Sequence, residues 1–340
     1  MSKTGTGGFF ELELPDGGGT GILPFWQGTN RAACFLNARS ALAALVATLK
    51  PGCVWLPAYL CDSLADAVPA GQRRYYPVAP ALSPAVAVLR QAVAGDMVVG
   101  INYFGSLPAQ DFLDFTRERP DLLFVEDCAH CLAPAEPAWG HWRLFSPRKL
   151  VGVADGGVLV AMNAKLPLPG PAQAAKHPEH EWRAALLRFE DSGMERRAEW
   201  HAASQQREAA AAITDEAMTR LSHDLLFRLA AEPRITRRSD NYGALSERLS
   251  DWFFAPAGKK TGAPFAAILR VDAARRDTIL SGLHSAGIFA ATHWRGMPSP
   301  KADFPEEHGL SQELISLPCD HRYALGDMHR LADIAAGLLG

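Results

Sequence analysis

Two short stretches of this sequence hold residues able to do chemistry. The first, LLFVEDCAHCLAP at residues 122–134, sets Asp127 at the end of an apolar run and follows it with Cys128, His130 and Cys131. A CxxC that encloses a histidine suggests a metal or a redox pair. A structural zinc site needs four ligands, usually from two such knuckles, and Cys53, Cys61 and Cys319 stand singly. A redox cysteine needs a depressed thiol pKa, which Glu126 and Asp127 would raise. No metal is expected. The run Leu122 to Val125 reads instead as a buried strand ending in carboxylates, and open parallel sheets bind ligands beyond the carboxyl ends of their strands. Asp127 and His130 are then the chemical residues.

The second stretch, FSPRKLVGVADGGVLV, places Lys149 just past another apolar strand, with Ser146 three residues earlier and Gly156-Gly157 leading into the next strand. Upstream, Asn37, Ala38, Arg39 and Ser40 form a strand-to-helix turn. A strand-end acid, a loop lysine and a helix start are the parts a pyridoxal phosphate enzyme needs. Asp127 would keep the ring nitrogen protonated. Lys149 would bond the cofactor's aldehyde and move the substrate proton. Ala38, Arg39 and Ser40, with Ser146, would meet the phosphate, and Arg148 could add charge. Tyr59, just after a strand end in PAYLCDS, is placed to lie against the ring face, with core packing as its alternative.

These residues need a scaffold. The 340 residues are 48% hydrophobic and 21% charged with a net charge of −3, enough for two domains and without the basic footprint of nucleic-acid binding. No apolar run reaches the length of a membrane span and the N-terminus lacks the apolar core of a secretory signal, so a cytoplasmic protein is expected. Six cysteines are too few for a disulfide framework. Strands alternate with helical patterns up to GGVLVAM, which predicts a mostly parallel α/β sheet. A long charged helical tract follows, and then strand, helix, strand and helix of a smaller domain. The division expected is an N-terminal segment, 1–22, a cofactor-binding large domain, 23–225, and a small C-terminal domain, 226–340. HPEHE, with His177 and His180, contains a proline and reads as an exposed loop.

Taken together these pieces resemble the DegT/StrS-type sugar aminotransferases, fold type I pyridoxal phosphate-dependent enzymes, from about residue 33 onward. NARSALAAL resembles that family's Ser-Gly-Thr-Ala-Ala-Leu turn, VEDCAH its Glu-Asp-x-Ala-Gln/His strand end, and KLVGVADGGVLV its lysine followed by Gly-Gly. GIFAATHWRG and LSQELISLPCDHRY resemble its C-terminal domain. The resemblance implies a large domain with a mostly parallel central sheet flanked by helices, plus a smaller C-terminal α/β domain, in a homodimer. It implies pyridoxal 5'-phosphate as cofactor, with Asp127 at the pyridine nitrogen, His130 near the phenolic oxygen, Ser40 and Ser146 at the phosphate and Lys149 on the aldehyde. The activity implied is transfer of an amino group from glutamate to a keto sugar, usually nucleotide-linked, in polysaccharide or secondary-metabolite biosynthesis. A lyase or dehydratase on the same scaffold is the alternative, as is a degenerate non-catalytic relative, which the joint presence of Asp127, His130 and Lys149 disfavours. The serine-to-lysine spacing is three here against five in the family, and residues 170–215 show no match to its asparagine-bearing segment. His293 and Arg295, beside a flexible loop GMPSPKADFPEEHG, are expected to read the acceptor, Arg295 through a phosphate or carboxylate.

Overall fold

The computed structural model describes residues 5–15, 17–191 and 194–340; residues 1–4 and 16 of the expected N-terminal segment lie outside it. The chain begins with β1 (Thr6–Gly7) and a strap to α1 (Ile22–Gln27), then enters the large domain through β2 (Arg31–Phe35), α2 (Ala38–Leu49), β3 (Val54–Pro57) and α3 (Asp62–Asp66). It continues through β4 (Arg73–Tyr76), α4 (Val86–Leu89), β5 (Met97–Ile101), α5 (Gln110–Glu118), β6 (Leu123–Asp127), β7 (Trp142–Phe145) and β8 (Gly157–Ala161). Four helices follow: α6 (Pro178–Glu190), α7 (Arg197–Ala210), α8 (Arg220–Arg228) and α9 (Ala231–Arg248). The last part holds β9 (Ala266–Arg270), α10 (Ala273–Ser285), β10 (Ile288–Phe289), α11 (Pro305–Glu313), β11 (Leu314–Pro318) and α12 (Leu325–Leu339).

Seven strands form one sheet in the order β2-β8-β7-β6-β5-β3-β4. Every neighbour pairs parallel except where β8 lies antiparallel between β2 and β7. Central strands are apolar because both faces are covered: β5 is buried at every residue. One face packs Leu42, Leu45, Phe112 and Phe115 of α2 and α5 against Val98 and Phe124. The other packs Trp26, Trp182 and Leu226 of α1, α6 and α8 against Val158 and Val160. Each such side chain contributes about 1.5–3 kcal/mol of hydrophobic burial. The small domain has its own core, in which Leu283, Leu331 and Ala335 of α10 and α12 cover Leu269 and Ile315.

The join of β8 to α2 depends on Gly156 and Gly157. Gly156 has φ +126°, and a Cβ on Gly157 would lie 2.3 Å from the Asn37 carbonyl carbon, so only glycine lets β8 pass this close to the start of α2. Asn37 caps that helix by accepting the Ser40 amide at 2.9 Å, a contact worth about 1 kcal/mol.

The helical tract after the sheet is not continuous. Between α7 and α8 the chain runs extended beside β2, an edge strand: the Leu36 amide bonds the Glu216 carbonyl and the Met218 amide bonds the Cys34 carbonyl. An edge with unpaired backbone groups outcompetes helix propensity there. The loop expected around His177 is also corrected. His177 caps α6, Pro178 occupies its first turn, and His180 lies inside the helix. Proline is tolerated at that position because the first amides of a helix have no partner inside it. Part of the segment expected to be a flexible loop is α11, whose buried Glu307 accepts the Val78 and Ala79 amides at 2.8 and 3.0 Å.

The strap between β1 and α1 ties the parts of the fold together. β1 pairs with β10, and Phe10 is buried with the Arg322 guanidinium 4.0 Å from its ring centre. Glu13 accepts the Gly152 amide at 2.9 Å and also holds Arg234 and His321. No helix of the described residues is long and apolar enough to cross a membrane.

Candidate active site

The carboxyl ends of β6 and β7 and the amino end of α2 open on one cavity of about 540 Å³. Asp127, last in β6, lines it and is nearly fully buried. Its Oδ1 accepts the Ala129 amide at 2.8 Å. Burial raises the Asp127 pKa, and the nearby Lys149 charge and the Ala129 amide only partly offset this. Lys149 closes a 3-10 turn, Pro147–Lys149, just after β7, and also faces the cavity. Its side chain makes no hydrogen bond or ion pair among the described residues. Ser146, the residue before that turn, lines the cavity with no side-chain cap bond. A buried acid that lacks a full counter-charge therefore shares a cavity with an unengaged lysine.

Among the residues expected at a phosphate, Ala38 and Arg39 line the cavity. Ser40 does not offer a free hydroxyl. Its Oγ donates to Asn37 Oδ1 at 2.9 Å and accepts the Thr214 amide at 3.0 Å, so capping α2 and pinning the extended segment engage it. Arg148 also lines the cavity, where it forks onto Glu208 of α7.

His130 is buried and does not line the cavity itself, and neither ring nitrogen has a partner among the described residues. It is stacked between Phe265, at 4.2 Å between ring centres, and Phe104, at 5.6 Å. Burial pushes its pKa well down, with Lys149 and His293 adding to the effect, so the imidazole is neutral. His293 joins the same aromatic cluster, bonds Ser316 Oγ through Nδ1 at 2.8 Å, and is pushed down by burial and Lys149 to about 3.

Tyr59 is placed otherwise than expected for a ring-face residue. It is wholly buried in the core, donating from its hydroxyl to the His293 carbonyl, and Trp294, 5.4 Å from it, lines the cavity instead. Arg295 does not reach the cavity. Its side chain is 61% exposed and pairs with Asp277 of α10 at 3.0 Å. Cys128 and Cys131 are buried behind the strand end, on either side of Asn102, which donates to Cys128 Sγ at 3.6 Å and accepts from Cys131 Sγ at 3.7 Å. The start of α6 gathers His177, Glu179 and His180 on an exposed face, with Glu179 Oε1 3.3 Å from His177 Nδ1.

Sequence reading missed Arg207, Glu208 and Glu181, which line the cavity from α7 and α6. Trp294, expected beside His293 and Arg295 in the wall that reads the acceptor, does line the cavity.

No protein-family model and no curated protein matches the chain. Solved structures do. An aminotransferase TlmJ from Streptoalloteichus hindustanus is similar at 19% identity, with a TM-score of 0.65 and 98% of each chain covered. DesV from S. venezuelae matches at 19% identity and TM-score 0.66 over 92% of this chain and 86% of that one. A DegT DnrJ EryC1 StrS aminotransferase from Brucella abortus matches at 16% identity and TM-score 0.65, over 94% and 88%. The chain has the fold of these aminotransferases. The fold type I arrangement expected from the sequence, a mostly parallel sheet flanked by helices with a smaller α/β unit after it, is the arrangement found. In this aminotransferase fold, Asp127, Lys149 and the start of α2 meet although they are distant in sequence.

Proposed function

We propose that the chain is a pyridoxal phosphate-dependent aminotransferase that takes an amino group from glutamate and delivers it to a keto sugar, the sugar probed first being a nucleotide-linked one. The observation that carries this reading is the buried Asp127 carboxylate sharing one cavity with the unengaged Lys149 and the amino end of α2. The residues present fit the cofactor: Asp127, Ser146, Ala38 and Arg39 face the cavity, Asp127 lacks a full counter-charge, and His130, stacked 5.9 Å from the cavity-lining Trp294, has two buried nitrogens without a partner among the described residues. The likeness to these aminotransferases supports it through the fold.

When bound, the cofactor supplies a cationic ring that withdraws electrons from the substrate carbon. Asp127 would hold that cation: burial makes its lone charge costly, and a protonated ring nitrogen beside it would offset the cost. The Ala129 amide orients the carboxylate. Lys149 would be the residue that holds the cofactor at its aldehyde carbon, and its amine would be placed to move the substrate proton. Neutral His130 would offer an N–H from its aromatic stack without adding charge. Trp294 excludes water from the cavity wall. The reading carries with it a homodimer in the cytoplasm.

Protein loaded with pyridoxal 5'-phosphate and given glutamate alone should form about one equivalent of 2-oxoglutarate per site, because the first half-reaction needs no acceptor. A loaded protein that forms none with any amino acid would overturn the reading.

A further inference from the structure

Three guanidinium groups converge on the cavity, and among the described residues one carboxylate meets them directly. Arg148 Nη1 and Nη2 fork onto Glu208 at 2.9 and 3.1 Å, and Arg207 Nη2 reaches the same carboxylate at 2.8 Å. Arg39, in the first turn of α2, has neutral partners among the described residues: the Ala211 carbonyl at 2.6 Å and Ser63 Oγ at 2.5 Å. Asp155, on the same cavity, is committed to Thr219 and Ser222 at 2.6 and 2.7 Å. Glu181 faces the cluster without an ion pair among the described residues, and burial raises its pKa.

We propose that Arg39, Arg148 and Arg207 form a seat for a phosphate group, and that Glu208 is its resident counter-ion, displaced when phosphate binds. This rests on the aminotransferase reading for its first ligand, the phosphate of the cofactor. Forked guanidinium donors suit a tetrahedral dianion, and several of them can share it. The amino end of α2 adds its dipole from the same wall. Glu208 already shows how an anion lies here, bound at both oxygens and bridging two arginines. Its side chain lines the cavity and is 43% exposed, so it has water to turn into when displaced. Burial pushes the Arg148 pKa down, and Arg207 and Arg39 push it further, with Glu208 opposing. The cluster is short of negative charge, which a phosphate supplies.

The seat separates phosphate-bearing from phosphate-free ligands. Binding to the cofactor-free protein is measured for pyridoxal 5'-phosphate, pyridoxal, inorganic phosphate and uridine diphosphate. Arg148→Gln should weaken pyridoxal 5'-phosphate by roughly tenfold or more and leave pyridoxal unchanged. Glu208→Gln, which keeps the shape of α7, should tighten pyridoxal 5'-phosphate and inorganic phosphate by several-fold. If both changes appear with uridine diphosphate and not with pyridoxal 5'-phosphate, the seat stands and the phosphate is that of a nucleotide. Equal effects on pyridoxal and its phosphate, or Glu208→Gln that tightens none of the phosphates, would overturn it. A protein that takes up neither pyridoxal form contradicts the aminotransferase reading alone, since inorganic phosphate and uridine diphosphate still test the seat.

Discussion

Glu13 accepts the backbone amide of Gly152 at 2.9 Å, three residues past Lys149, so the N-terminal strap holds the loop that presents the lysine. The other oxygen bonds Arg234 of α9 at 2.6 Å and His321 at 2.9 Å. Burial opposes ionisation of Glu13, but the His321 bond and charge, Arg234 and the Gly152 amide outweigh it and bring the pKa to about 2.

Glu13→Gln should therefore cost about 2 kcal/mol of stability at pH 7. A depressed carboxyl stabilises the fold above its unfolded pKa, and that contribution fades as the pH falls from about 4.5 toward 2. Denaturant unfolding of both proteins should show a gap that closes across that window. A gap unchanged from pH 7 to pH 3 would remove Glu13 as its source.

Asp127→Asn should retain the cofactor and lose the glutamate half-reaction by several powers of ten, each about 1.4 kcal/mol of barrier. A neutral amide of the same size keeps the Ala129 contact region filled but cannot balance a cationic ring. Single-turnover absorbance would show this; a loss under tenfold would mean Asp127 serves packing.

His130→Phe separates a polar role from an aromatic one. Its ring nitrogens are buried without partners, so phenylalanine in the same stack should raise the melting temperature of the cofactor-free protein. The half-reaction should fall at least tenfold, because the N–H donor is gone. Full activity in that variant would reduce His130 to core filling.

Burial raises the Cys128 pKa far above its ordinary value, with Cys131 and Glu126 adding to it, which makes it a poor nucleophile. Iodoacetamide should label neither Cys128 nor Cys131 in the native protein, and Cys128→Ala should leave activity within about twofold. Stoichiometric zinc lost on that substitution would reopen a metal role for the pair.

Local signals explain what the sequence revealed. The cap at Asn37, the apolar run into Asp127 and the Gly156-Gly157 turn each lie within a few residues of the group they position, and strand-end logic then brings Asp127 and Lys149 together. The start of α6 was misjudged by treating Pro178 as a breaker when its position made it a starter. Other features depend on distant partners. Helical periodicity marks α7 but does not say that Arg207 and Glu208 face a cavity opened by β7, some 60 residues earlier in the Arg148–Glu208 pair. Arg295 bonds Asp277, and the local pattern of THWRG holds no trace of that choice.

The central claim is that Lys149 is the residue that binds the cofactor. Protein incubated with pyridoxal 5'-phosphate, reduced with borohydride, digested and mapped by mass spectrometry should carry the pyridoxyl group on Lys149 alone, and Lys149→Ala should carry none. A label on another lysine, or an unlabelled wild-type protein, would contradict the account.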